Sequence, residues 1–135
     1  MSNQLLEKSA IDSKKRLQSL IQDANKSSSV QLENIPVEGY EQVIEITDKK
    51  TGLHAFISIH NTKLGPALGG CRFIEYPDTG TAIKDAMRLA QGMSYKAASV
   101  GLPLGGGKAV IIKPAGPFDR QKYMRAFGRF ISELN

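Results

Sequence analysis

Apolar and polar positions alternate most clearly between residues 43 and 60. Val43 to Thr47 reads VIEIT, and Leu53 to His60 reads LHAFISIH. A period of two sends successive side chains to opposite faces of a strand. Leu53, Ala55, Ile57 and Ile59 then share one face, and His54, Phe56, Ser58 and His60 the other. Asp48 to Gly52 between the runs has turn composition with a closing glycine, which predicts a β-hairpin. Helical periods lie on both sides. Residues 3 to 25 carry Leu5, Leu6, Ile11, Leu17, Leu20 and Ile21, in a stripe broken by Ser9, Ser13 and Lys14. That pattern predicts a peripheral helix, an arm suited to packing on another subunit, closed by a Ser27-Ser28-Ser29 linker. Thr81 to Ala98 repeats Ile83, Met87, Ala90 and Tyr95 or Ala97 at helical spacing, and its many alanines permit close packing. Asp119 suits the N-cap of a last helix, with Tyr123, Phe127, Phe130, Ile131 and Leu134 on one stripe. A loop is predicted over 61–72, a short extended piece over 73–76 and a buried strand over 109–113. Strands and helices alternating after residue 42 predict an α/β fold. The last stripe is still running at Asn135 without a stop signal, so the chain reads as cut short or as the first part of something larger.

The stretch from Gly92 to Lys113, GMSYKAASVGLPLGGGKAVIIK, holds two lysines twelve residues apart. Lys96 falls near the end of the predicted helix. Lys108 follows Gly105, Gly106 and Gly107 at the mouth of a predicted loop. Three consecutive glycines cost conformational entropy and supply no packing, so they suit a place of close backbone approach or positive φ. Gly69-Gly70 in the loop over 61–72 invites the same reading, or a simple turn. A phosphate loop is excluded: Leu102 stands at its first glycine position, Ala109 follows the lysine, and the glycines come after a helix and before a strand. The G-x-G-x-x-G dinucleotide fingerprint fails on the same grounds. Two lysines converging on one pocket have a distinct logic. One holds a carboxylate by charge; the other, desolvated beside a like charge, has its neutral form favoured and moves protons. The plain alternative is two surface lysines, with Lys96 serving the helix dipole.

Length and composition narrow the classes. At 135 residues, 41% hydrophobic and 23% charged, the chain suits one soluble domain that buries roughly two-thirds of its unfolded surface. No apolar run approaches the ~20 residues of a membrane span. No signal-peptide segment opens the sequence, so a cytoplasmic location is expected. Cys71 is the single cysteine, which excludes an intrachain disulfide and a multi-cysteine metal site. His54 and His60 lack further ligand-type residues at metal spacing, so no metal site is expected. The net charge of +5 comes without zinc-finger spacing or an aromatic RNA-binding signature, so solvated basic faces are expected rather than nucleic-acid binding.

Three segments carry a resemblance: GLHAFISIHNTKLGPALGGCR, AIKDAMRLAQGMSYKAASVGLPLGGGKAVII and YMRAFGRFI. In order and spacing they resemble the N-terminal domain of the glutamate, leucine, phenylalanine and valine dehydrogenase family, over residues 40–135, and look closest to its leucine branch. Residues 1–39 fall outside the match and are expected to form an N-terminal helical extension. The resemblance implies a three-layer α/β/α domain with a mixed, largely parallel sheet. It also implies oxidative deamination of an L-amino acid to a 2-oxo acid and ammonia, with NAD or NADP bound by a C-terminal Rossmann domain absent from this chain. No cofactor is therefore expected on this chain alone, and homo-oligomer contacts are expected.

By the resemblance, Lys96 matches the lysine binding the substrate α-carboxylate, and Lys108 the catalytic acid/base lysine. Gly69, Gly70 and Met93 match pocket-lining residues. Leu68 stands where glutamate dehydrogenases resemble P-x-K-G-G, whose lysine pairs with the substrate's side-chain carboxylate. An apolar residue there leaves such a carboxylate unpaired, so leucine, valine or isoleucine is implied rather than glutamate, leucine foremost, with phenylalanine also open. Two departures stand out. Ala97 replaces the asparagine usual after the carboxylate-binding lysine, and the family's catalytic aspartate lies past Asn135. The chain is thus expected to be inactive alone. The alternative is a non-catalytic remnant, an amino-acid-binding or assembly module.

Overall fold

The alternating stretch becomes the middle of the sheet. β2 (Gln42–Asp48) and β3 (Leu53–Asn61) pair antiparallel, with Asp48 opposite Leu53. Gly52 closes their turn at φ +77°, a conformation glycine adopts without a Cβ clash. Asp48 is only 7% exposed, and the turn itself satisfies it: its carboxylate accepts from the Lys50 N–H at 3.0 Å and the Thr51 hydroxyl at 2.9 Å. A buried carboxylate without such donors is expensive.

The structure is a computed structural model and describes residues 3–26 and 29–134. Six strands form one sheet in the order β1-β2-β3-β6-β4, with β5 also on β6. The other strands are β1 (Val30–Asn34), β4 (Ala67–Leu68), β5 (Cys71–Ile74) and β6 (Gly105–Ile112). The helices are α1 (Asn3–Lys26), α2 (Thr79–Ser99) and α3 (Arg120–Leu134). Ile44, Ile46, Ala55, Ile57, Ala109 and Ile111 pack on one face with Leu17 of α1 and Tyr123, Phe127 and Phe130 of α3. Phe56 and Val110 pack on the other face with Ala82 and Ala86 of α2. The expected α/β class, three layers and mixed sheet are present. Among the described residues no helix is long and apolar enough to cross a membrane.

Four expectations need correction. The sheet is not largely parallel: β1–β2, β2–β3 and β3–β6 are antiparallel, and only the short β4 and β5 run parallel to β6. Hairpin connections give antiparallel neighbours, and here only the crossover through α2 gives parallel ones. Residues 30–34, placed in a helical extension, form the edge strand β1, with Val30 opposite Asp48. The linker expected at Ser27 and Ser28 lies outside the described residues. The strand expected over 109–113 begins at Gly105, so the glycine triplet is sheet and not loop. The buried stripe of α2 is Ala82, Ala86, Ala90, Ser94 and Ala97. Tyr95 is 63% exposed, because α2 lies too close to the sheet for large side chains on its inner face.

Both helix starts follow their caps. Asp78 accepts from the Thr81 N–H at 2.6 Å, and Asp119 from the Lys122 N–H at 3.1 Å. Tyr123 is fully buried, and its hydroxyl donates to the Ile112 carbonyl and accepts from the His54 N–H.

Candidate functional site

The glycines of β6 are set by space. None of the three has positive φ. A β-carbon on Gly105 would overlap the Asn61 carbonyl, and one on Gly106 would overlap the backbone of Ala90 and Ser94. One on Gly107 would sit 3.3 Å from Ile59 Cδ1 and 3.4 Å from Ala67 Cβ. The triplet thus allows β3, β4 and α2 to converge on one strand.

Lys108 emerges where that convergence ends. It lies opposite Ser58 of β3 and shares the α2 face with Gly106 and Val110. Its side chain turns toward Gly70, where a β-carbon would lie 3.6 Å from Lys108 Nζ. The Ala109 N–H donates to the Gly70 carbonyl at 3.1 Å. A β-carbon on Gly69 would overlap the Gly107 carbonyl. Gly69, Gly70 and Lys108 are therefore brought into direct proximity. Leu68 pairs with Gly106 and is 48% exposed. Met93 and Lys96 lie one residue before and two residues after Ser94 in α2, the residue against Gly106; Met93 is half-buried and Lys96 exposed.

Among the described residues neither lysine ammonium has a hydrogen bond or ion pair. For an exposed lysine this is ordinary. For the half-buried Lys108 it leaves a cation available to an anionic or carbonyl ligand. Two clefts of about 480 and 680 Å³ flank α1 and contain neither lysine. Exposed Leu68 and Lys96 place the candidate site on open surface instead.

Asp85 of α2 ties the helix to β5. Its carboxylate accepts from Arg72 at 3.0 Å, Tyr76 at 2.6 Å and Arg88 at 2.9 Å. Burial pushes the Asp85 carboxyl up, but the hydrogen bonds from Tyr76, Arg88 and Arg72 outweigh it and hold it below its usual range. Burial, then the hydrogen bond to Asp85, pushes the Tyr76 hydroxyl up to about 12. The sequence reading missed this network, and also a cluster of His60, Asn61 and Ser94 between β3 and α2. One signal for the cluster existed: Ser94 is the polar member of the series Ala82, Ala86, Ala90, Ser94. The two histidines have separate partners, His54 pairing with Glu45 at 2.7 Å. Among the described residues no three His, Cys, Asp or Glu side chains are grouped to hold a metal.

A family model described as Glu/Leu/Phe/Val dehydrogenase, dimerisation domain, matches residues 40–135. The chain belongs to this family. The resemblance read from the GGGK and PALGG segments is thereby confirmed. A leucine dehydrogenase of Geobacillus stearothermophilus is 54% identical to this family member over 96 residues, covering 71% of this chain and 26% of its own length. A valine dehydrogenase of Streptomyces albus is 49% identical over 96 residues, with the same coverage of 71% and 26%. The crystal structure of an L-tryptophan dehydrogenase from Nostoc punctiforme has a TM-score of 0.67 at 46% identity, covering 72% of this chain and 29% of that one. The chain spans about a quarter of the length of the curated relatives it matches. Members of the Glu/Leu/Phe/Val dehydrogenase family are amino-acid dehydrogenases, hence oxidoreductases. These relatives are named for different side chains, so membership alone leaves the substrate side chain open.

Proposed function

We propose that this chain is the substrate-binding and oligomerisation part of an NAD(P)-dependent L-amino-acid dehydrogenase. The enzyme would oxidatively deaminate a branched-chain amino acid, leucine foremost, to its 2-oxo acid and ammonia. The observation that carries the reading is the unpaired, half-buried Lys108 with its ammonium beside Gly70. Lys96 takes the substrate α-carboxylate by charge. Lys108 moves a proton at the amine and carbonyl. Gly70 leaves room beside Lys108, Gly69 lets its segment close on the Gly107 carbonyl, and Met93 lines the same surface. Leu68 selects an aliphatic side chain, because a carboxylate against it would be desolvated without a partner.

The glycine triplet of β6 does not suit a nicotinamide cofactor's phosphates. The space above Gly105, Gly106 and Gly107 is filled by Asn61, Ala90, Ser94, Ile59 and Ala67, so no backbone cradle is left for a phosphate. In the proposed enzyme the nucleotide is held by a further domain, and this chain alone does not turn over. A homo-oligomer in the cytoplasm completes the reading.

Calorimetric titration of the 135-residue chain with L-leucine, 2-oxoisocaproate and L-glutamate tests it. Binding of either of the first two and not of glutamate is expected, with loss in Lys96→Ala. A folded chain that binds none of them supports the second reading, an assembly module without a ligand.

A further inference from the structure

We infer that Asn61 and Ser94, joined through His60, are positioning residues that fix Met93 and Lys96 relative to Lys108. The inference rests on the reading of the two lysines as substrate lysines. Its geometric basis is a break in β3. Ile59 pairs with Gly107 and Asn61 with Gly106, so His60 is an extra residue in the ladder. The bulge lets two adjacent side chains reach one neighbour. His60 Nδ1 lies 2.8 Å from Ser94 Oγ, and Asn61 Nδ2 lies 3.0 Å from His60 Nδ1 and 3.5 Å from Ser94 Oγ.

The orientation of the Asn61 amide sets the arrangement of donors we assign to this cluster. The Lys63 N–H donates to Asn61 Oδ1 at 3.3 Å, which turns the amide nitrogen of Asn61 toward His60. An amide nitrogen only donates, so His60 Nδ1 accepts and carries no proton. The neutral imidazole then holds its proton on Nε2. The Ser94 hydroxyl, at 2.8 Å, shares the single lone pair of Nδ1 with the Asn61 amide, and its oxygen also accepts from Asn61. The rings of Tyr40 and Tyr95 meet His60 edge-on, with centroids at 5.2 and 6.1 Å, and wedge it in place.

This cluster acts on the turn of α2 that matters for the site. Ser94 is 7% exposed, and its main-chain nitrogen occupies the space that Gly106 leaves open. The helix is thus held from β6 by the missing β-carbon and from β3 by the hydrogen bonds. Met93 and Lys96 project from that turn, and Lys108 leaves β6 two residues past Gly106 on the same face. Small displacements between groups that act on one ligand are costly, about a hundredfold in rate per ångström in enzymes.

The test uses the 135-residue chain, 15N-labelled, with Asn61→Ala and Ser94→Ala variants. The wild-type imidazole spectrum should show Nδ1 unprotonated and Nε2 protonated, and Asn61→Ala should release that preference. Both variants should keep the amide protection of β2 while the amides of Met93 to Lys96 exchange about tenfold faster. Affinity for 2-oxoisocaproate should fall about tenfold in both. Should Ser94→Ala fail to fold, Asn61→Ala at its half-exposed position carries the test. A proton on Nδ1 in the wild type, unchanged exchange at 93–96, or unchanged affinity in the variants overturns the positioning role. A wild type that shows the expected tautomer and exchange but binds no 2-oxoisocaproate overturns the substrate reading, and the positioning role with it, leaving only a structural tie.

Discussion

A β-carbon on Gly106 would fall on the main-chain nitrogen of Ser94, so Gly106 sets how closely α2 approaches the sheet. Substituting it meets backbone on two sides, from Ala90 and Ser94, and backbone cannot swing away as a side chain can. Gly106→Ala should therefore cost about 3 kcal/mol, the upper part of the overpacking range. Gly128 in α3 is the contrast: it is exposed and a β-carbon there meets nothing within 4 Å. Gly128→Ala should stabilise the chain by about 1 kcal/mol through helix propensity. Urea unfolding of both variants measures the pair. Equal effects would show that the closeness of α2 to β6 does not govern stability.

Gly69 and Gly70 divide structure from ligand. At Gly69 a β-carbon overlaps the Gly107 carbonyl, so Gly69→Ala should unfold or strongly destabilise the chain. At Gly70 the nearest atom is Lys108 Nζ at 3.6 Å, an ordinary contact with a flexible tip. Gly70→Ala should leave the unfolding free energy measured in urea within about 0.5 kcal/mol of the parent. It should still weaken 2-oxoisocaproate, because the methyl group takes the space beside the ammonium. Full affinity in a folded Gly70→Ala would place the ligand away from Lys108.

Leu68 is 48% exposed on β4 beside Gly106. Its replacement changes little buried area, so Leu68→Lys should fold as the parent does. The added ammonium offers a partner to a side-chain carboxylate, and a glutamate or 2-oxoglutarate signal should appear in calorimetry while the 2-oxoisocaproate signal falls. Retained preference for the aliphatic ligand would remove Leu68 as selector.

The legible parts of the fold were those written in period. The β2–β3 hairpin, its two faces and the aromatic stripe of α3 follow from side-chain alternation and helical spacing, because burial there is decided by large apolar residues. Where small residues decide, the sequence misled. The triplet at 105–107 read as a loop, since glycine lowers strand propensity, yet here it is strand because three neighbours need its missing side chains. The α2 stripe read as Ile83, Met87, Ala90 and Tyr95 or Ala97; Ala90 and Ala97 are buried, while the rest of the contact face is Ala82, Ala86 and Ser94 in place of the large residues. Lys108 with Gly69 and Gly70 was legible as a motif. Their proximity was not, because it depends on β4 and β5 pairing alongside β6 across an intervening helix. Asn61 and Ser94 were hidden by the bulge in β3, which no periodic pattern announces.

The Asp85 network gives a pH test of how α2 is tied to β5. The Tyr76 hydroxyl is pushed up to about 12, by burial first and by Asp85 second. A raised value means that the neutral phenol is favoured in the folded chain. Its contribution to stability is complete below about 10, the ordinary tyrosine value, and is lost as pH rises through about 12. The Asp85 carboxyl is held low, so its contribution is present above the ordinary carboxylate range and is lost as pH falls below it. Ultraviolet titration, with Tyr76→Phe subtracted to isolate the one phenol, should show ionisation near 12. In Asp85→Asn it should fall part of the way toward 10, because burial, the larger cause, remains. Ionisation near 10 in the parent, or no movement in Asp85→Asn, would show that Asp85 does not hold Tyr76. The tie between α2 and the strand after Gly70 would then rest on Arg72 alone.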